Sequence, residues 1–279
     1  MISALIITLR ETLEAALVAG IALAYLKKTE NAGHQKYVWG AVAAGILCSL
    51  LLAVVFNQYL GGFEGRNEEI YEGVMMLTAG GLLTWMILWM LKQRASIKKN
   101  LENKMASHIE KDHPWGIFTL VFVSVLREGI ETVIFLQASL IHSEGTSVFA
   151  GAVLGILLAV VMSIALFKGI AKVPLRSFFT ASSLLLIMFA AGLMAHGVHE
   201  FQEAGIVPIV VEHVWDMNPE VIVEGVYPVM HEKGAIGGLF KGLFGYNGNP
   251  NLLEVLVYAA YLVVIAGAWK MIDKPRSRA

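Results

Sequence analysis

The sequence predicts an all-α polytopic membrane protein with seven transmembrane helices, built as an inverted repeat of three plus three helices followed by a seventh. Three observations predict it. Of the 279 residues, 57% are hydrophobic and 15% charged, with a mean hydropathy of +0.66, outside the range of an ordinary globular domain. Seven apolar runs are each about 20 residues long or more, enough to cross a hydrocarbon core of about 30 Å as helices. One charged motif, Arg-Glu-x-x-Glu, occurs at Arg10 and again at Arg127, each time near the middle of an apolar run. Transmembrane strands would be shorter and would alternate polar with apolar residues, which excludes a barrel.

The first run, Ile2 to Leu26, lacks the basic residues of a secretory leader and is broken by the Arg-Glu cluster, so it is expected to stay as the first span. Tyr37 to Leu60 holds Cys48, the single cysteine, which permits neither an internal disulfide nor a thiolate metal cluster and is read as a packing residue. Ile70 to Leu91 completes a first repeat over 1–92. Trp115 to Ile141, Ser147 to Phe167 and Thr180 to Val198 form the second, over 115–200. An external loop, 201–251, mixes Trp215, Asp216 and Tyr227 with Pro208, Pro219 and several glycines. It reads as a partly structured lid, with Phe244 to Pro250 as the turn into the seventh span, Leu252 to Met271 (residues 252–271). Residues 1–279 are then one integral membrane domain in the cytoplasmic membrane.

An odd number of spans puts the termini on opposite sides, and Lys and Arg decide which. The segments Lys27 to Lys36, Lys92 to Asp112, Lys168 to Arg176 and Lys270 to Arg278 hold 16 of the 21 Lys and Arg and five of the 22 acids. That side is expected to be the cytoplasm, with the N-terminus outside and the C-terminus inside. The opposite segments carry Arg66, Lys233 and Lys241 against 13 acids. No insertion rule demands that acidity, and an anionic mouth concentrates cations. The Lys92 to Asp112 segment reads as an amphipathic surface helix whose basic residues meet anionic lipid, and nucleic acid is not an expected partner. Glu110 and His113 have the Glu-x-x-His spacing of a di-iron pair but stand unaccompanied in that loop.

At about 100° per residue, Arg10, Glu14 and Glu11 fall at roughly 0°, 40° and 100° around a helix, and Arg127, Glu131 and Glu128 do the same. Each span therefore carries one polar stripe. Ionisable groups at a bilayer centre are kept where they face a bundle interior or a wet path. One Arg–Glu pair would suffice to hold two helices in register; the extra glutamates point to a pocket. Two facing stripes make an oxygen-rich, net anionic pocket able to replace the water around a cation. Fainter matches accompany the motif: Gly40-Ala41-Val42 with Gly45-Ile46-Leu47 resembles Gly151-Ala152-Val153 with Gly155-Ile156-Leu157, and Ala79-Gly80-Gly81-Leu82 resembles Ala190-Ala191-Gly192-Leu193. Copies of three spans each must be inserted in opposite senses. Both motifs then lie about 15–20 Å into their spans at ~1.5 Å per residue, near the midplane, as in secondary transporters.

Other polar groups carry two readings. Glu68, Glu69 and Glu72 at the start of the third span either collect cations or serve as helix N-terminal electrostatics. His196, His199, Glu200 and Glu203 lack the second histidine of a zinc protease helix; His199 and Glu203 share a face and fit either a transient metal contact or a polar cap. The methionines, such as Met75, Met76, Met86, Met162 and Met188, are scattered and read as packing. No nucleophile and base are paired, so an enzyme is not expected, nor is a prosthetic group.

With Arg10-Glu11-Thr12-Leu13-Glu14 and Arg127-Glu128-Gly129-Ile130-Glu131 in spans one and four, the chain resembles the oxidase-dependent iron permease family, which includes fungal ferric permeases and bacterial EfeU-type iron permeases. Glu68 to Gly73 and the Phe244-Gly245-Tyr246 turn add to the resemblance. It implies that Glu11, Glu14, Glu128 and Glu131 bind and pass iron, with Arg10 and Arg127 as charge partners. Thr12 stands where the family commonly has glycine, so no glycine hinge is expected in the first motif. The resemblance also implies an extracytoplasmic oxidase or peroxidase partner. The expected function is inward transport of iron as Fe3+; the alternative is a permease for ferrous, manganese or lead ion, with protons exchanged on the same glutamates.

Overall fold

In lipid a backbone must satisfy its own polar groups, and long apolar runs do so as helices. The computed structural model describes residues 1–60, 64–93, 103–107, 114–141, 143, 145–169, 175–219 and 227–273. Their helices are α1 (Ile2–Lys28), α2 (Gln35–Leu60), α3 (Arg66–Gln93), α4 (Pro114–Ile141), α5 (Gly145–Phe167), α6 (Leu175–Glu203), α7 (Ala235–Phe244) and α8 (Leu252–Asp273), with a short 3-10 turn at Ala32–His34. No strand occurs among the described residues. Most of the expected Lys92 to Asp112 surface helix, Glu110, His113 and the basic tail lie outside them. The fragment 103–107 is helical and buries Met105 against α1, α2 and α4.

Local signals set the helix ends. Pro114 opens α4, where its missing N–H costs nothing. Lys27 and Lys28 sit in the last turn of α1, favourable to its dipole. Asn251 and Glu254 form a capping box at α8: the Glu254 N–H donates to Asn251 Oδ1 (3.0 Å) and the Asn251 N–H donates to Glu254 Oε1 (3.1 Å). Gly245 closes α7 in the left-handed region (φ 64°), and its backbone also meets that of Gly192 on α6, so a Cβ at either would collide with the other. The α6 helix is longer than the expected Thr180 to Val198, because His196, His199, Glu200 and Glu203 continue it with polar residues.

Five helical segments, 32–58, 66–91, 145–167, 177–203 and 252–272, are long and apolar enough to cross a membrane by length and composition. The α1 and α4 helices match them in length but carry the three charges of each motif. Charge decides their place. The pairings are α1 with α5, α2 with α4, α3 with α6, α6 with α8, and α1 with α4. One cluster of buried side chains joins Ile7, Met76, Leu83, Ile87, Phe135, Leu186 and Phe189; a second joins Leu26, Val38, Ile117 and Val121. The outward faces of α2 and α5 are apolar and exposed, with Leu47, Leu51, Val54, Phe149, Leu157 and Val161. Such a belt belongs against lipid. Cys48, expected as a packing residue, is exposed on that α2 face.

Met1, the close of α4 and α6, the starts of α3, α5 and α8, and α7 gather at one end of the bundle, which also holds most of the described acids. It is called the acidic end below.

Candidate metal centre

Helix α1 meets α4 along the two polar stripes. Carboxylate oxygens of Glu11, Glu128 and Glu131 converge within 4.8 Å of one another. Glu11 and Glu128 are buried and Glu131 is half-buried. Of the four glutamates expected as ligands, the structure groups three. Glu14 stands beside them, its Oε1 3.1 Å from Arg10 Nε.

The guanidinium of Arg10 is 0% exposed; its NH1 lies 3.7 Å from Glu11 Oε1, and its NH2 contacts the sulfurs of Met86 (2.8 Å) and Met90 (2.6 Å) on α3. Arg127 is 43% exposed. Its Nε donates to Glu128 Oε1 (3.0 Å), its NH2 donates to the same oxygen, its Nε lies 3.6 Å from Glu131 Oε1, and its guanidinium rests 4.9 Å over the Trp89 ring. Among the described residues, no hydrogen-bond donor reaches Glu11 Oε1, Glu11 Oε2, Glu128 Oε2 or Glu131 Oε2. Buried acceptors without donors call for a reason, and a bound cation supplies one. Four carboxylates and two guanidiniums leave a net charge of about −2 if all are ionised, and every donor is hard oxygen.

Toward the acidic end, a small cavity is lined by Ser3, Ser139, His196, Lys241 and Gly245. Ser3 lies about two helical turns from Glu11 on α1, and Ser139 about two turns from Glu131 on α4. Between them sit Ile7 and Phe135, both fully buried. An apolar layer therefore separates the cavity from the glutamates. Helix α7 covers that cavity through Lys241, which is 2.5 Å from Glu232 Oε2. Burial alone would raise the Glu232 carboxyl, but Lys241, the Gly248 N–H and the Asn218 amide together hold it below its ordinary value.

The other expected residues also lie at the acidic end. Glu68 and Glu69 stand in the first turn of α3, and Glu72 is half-buried one turn further. His199 is engaged on both ring nitrogens, Nε2 with Glu203 (3.1 Å) and Nδ1 with Glu254 (3.0 Å). That geometry uses the imidazole as a bridge between carboxylates, with Asn251 joining it and Gln202.

The model of the iron permease FTR1 family matches residues 1–272. The chain belongs to that family. It is 33% identical over 261 residues to the ferrous iron permease EfeU of Yersinia pestis, covering 92% of this chain and 89% of the relative. It is 35% identical over 261 residues to proteins of the same name in Escherichia coli O6:K15:H31 (strain 536 / UPEC) and Shigella sonnei (strain Ss046), covering 92% of this chain and 91% of each. No solved structure matches the chain significantly. This iron permease is a multi-pass protein of the cell membrane and an iron uptake transporter.

Four residues of the permease's two polar centres escaped the sequence reading. Met86 and Met90 look like any pair on an apolar helix, and Trp89 like an interfacial aromatic. Glu254 was findable, because Asn251-Leu252-Leu253-Glu254 spells a capping box.

Proposed function

We propose that this chain carries iron inward through Glu11, Glu128 and Glu131, with Glu14 and the two arginines setting the charge of the emptied site. The observation that carries the reading is the convergence of three carboxylates from α1 and α4 with buried oxygens that lack donors. A cation entering there exchanges water for carboxylate oxygen. Binding too tight would trap it, and Arg10 and Arg127 reclaim the carboxylates once it leaves. The ion proposed is Fe2+, because a net charge of about −2 balances a divalent ion and the relatives carry the name ferrous iron permease. Fe3+ is the second reading, since all candidate donors are hard oxygen; the extracytoplasmic oxidase or peroxidase partner goes with that reading alone.

The proposed architecture is seven spans, N-terminus outside, in an inverted three-plus-three repeat. Exchanging α1, α2 and α3 for α4, α5 and α6 carries the α1–α5 pairing onto α4–α2 and returns α1–α4 and α3–α6 to themselves. The matching glycines behave alike: a Cβ on Gly45 would lie 3.4 Å from Leu126 N, and one on Gly155 would lie 2.9 Å from Leu9 N. Each glycine thus closes on the residue just before the opposite motif.

Radioactive iron uptake into proteoliposomes tests both parts. Uptake under ascorbate that manganese competes with weakly, and that fails in Glu131→Gln, is the expected result. Uptake only under oxidising conditions would install the ferric reading, and full uptake by Glu11→Gln and Glu131→Gln would end the site assignment.

A further inference from the structure

One turn of α3 touches the arginines of both motifs. Met86, Trp89 and Met90 share a face of that helix, because residues three and four apart are neighbours on its surface. Arg10 NH2 contacts the sulfurs of Met86 (2.8 Å) and Met90 (2.6 Å), and the Arg127 guanidinium lies 4.9 Å over the Trp89 ring. The two contacts leave the carboxylates in different conditions. An indole face supports a guanidinium from above and leaves its N–H groups to others, so Arg127 keeps two nitrogens on Glu128 Oε1. Arg10 instead directs NH2 at sulfur. Its NH1 stays 3.7 Å from Glu11 Oε1, and among the described residues neither NH1 nor Nε has a hydrogen-bond partner. In consequence both oxygens of Glu11 lack donors, whereas Glu128 has one oxygen taken and one open.

A buried guanidinium beside carboxylates ordinarily takes their oxygens, since charge-assisted hydrogen bonds are about twice as strong as neutral ones. A thioether is a weak acceptor. The sulfur contacts of Arg10 therefore come from where the methionines are held and not from their affinity. Met86 and Met90 are buried, and both belong to the cluster that joins Ile7 of α1, Phe135 of α4 and Leu186 of α6. That packing sets two sulfurs against one nitrogen. Soft thioethers are poor ligands for an ion that takes carboxylate oxygen, so they serve the guanidinium and not the metal.

We propose that Met86 and Met90 are positioning residues for iron: their sulfurs hold Arg10 away from Glu11, so that both oxygens of that carboxylate stay open to the arriving cation. The proposal rests on the iron reading of the centre and assigns part of its affinity to a helix that supplies no ligand. Once the cation leaves, Arg10 turns to Glu11 by giving up two weak contacts, and the unbranched methionine stems follow it. An apolar residue at both positions would release Arg10 onto Glu11, where it competes with the cation. A stronger acceptor would hold it back.

The test is the initial rate of iron uptake under ascorbate, measured against iron concentration with the full-length chain in proteoliposomes. Met86→Leu/Met90→Leu keeps the apolar volume and removes both acceptors. It is expected to raise KM for iron about tenfold with the maximal rate within about twofold of wild type, the mark of a lost binding contribution. Met90→Leu alone should show a smaller rise in the same direction. Met86→Leu/Met90→Gln restores one acceptor and is expected to bring KM back to within about threefold of wild type. Packing alone predicts the reverse order, with the leucine pair neutral and the glutamine variant impaired. That order, or a KM unmoved by the leucine pair, overturns the proposal. Failure of the iron reading is seen separately, as full uptake by Glu11→Gln and Glu131→Gln with Met86 and Met90 intact.

Discussion

The two Arg-Glu-x-x-Glu motifs share their residues and spacing, yet the structure gives them different surroundings. Arg10 is sealed under Met86 and Met90, whereas Arg127 lies open on the face of Trp89. A guanidinium exposed midway along a membrane helix is tolerated where water reaches it rather than lipid. The Arg127 side is therefore the exposed side of the centre. On the other side, Ile7 and Phe135 separate the glutamates from the acidic-end cavity, and α7, which has no counterpart at the other end among the described residues, covers it. A repeated sequence pattern has folded into a centre with one arginine sealed and one exposed.

The largest effects should come from the converged carboxylates. Glu11→Gln or Glu131→Gln should lower iron uptake on the order of 100-fold, while Glu14→Gln, which loses a partner of Arg10 rather than a member of the group, should cost about 10-fold. Equal losses from Glu14→Gln and Glu131→Gln would erase the distinction drawn from the convergence of Glu11, Glu128 and Glu131 and from the pairing of Glu14 with Arg10.

Next come the arginines. Arg10→Gln strips the cation from a wholly buried ion pair and should cost about 3–5 kcal/mol of stability. Arg127→Gln should cost about 1 kcal/mol or less, because its half-exposed group is screened by water. Thermal unfolding of both variants in one detergent measures the gap. Similar melting points would mean that the sealed and open faces do not differ as described.

The motifs were legible because three charges at helical spacing inside an apolar run have few structural uses, and the same spacing put both stripes on facing surfaces. Their inequality was not legible. It arises from α3, where Met86 and Met90 read as core filling and where only tertiary packing brings sulfur to a guanidinium. The helix count in sequence followed hydropathy, which ended the sixth span at Val198; the helix continues to Glu203 because its polar side chains find partners on α8 and in the loop before it. Glu200 passed as part of a polar cap, since burial is a property of the α3 crossing and not of its own neighbours in sequence. Cys48 was misjudged for the converse reason, a small apolar residue being as suitable for lipid as for a core.

The smallest effect concerns α7, and it sharpens the comparison by asking what keeps the first motif closed. Glu232 has its carboxyl held below the ordinary 4.5 by Lys241, Gly248 and Asn218 against the opposing effect of burial. A depressed carboxyl stabilises the fold above its unfolded value and loses that contribution as pH falls through the folded one. Protection of 235–244 against hydrogen exchange, taken relative to the intrinsic amide rate at each pH, should therefore be unchanged from pH 7 to pH 5 and should fall below about pH 4.5. Lys241→Met should loosen the same segment already at pH 7, by about 1 kcal/mol at most for a partly exposed pair. In a Cys48→Ala background, Ser139→Cys should then react faster with a membrane-impermeant thiol reagent added from the acidic side, while Arg127 keeps its exposure. If Lys241→Met speeds exchange in α7 without changing the Ser139→Cys rate, the cover on the cavity lies elsewhere, and the Ile7 and Phe135 layer alone accounts for the closed face.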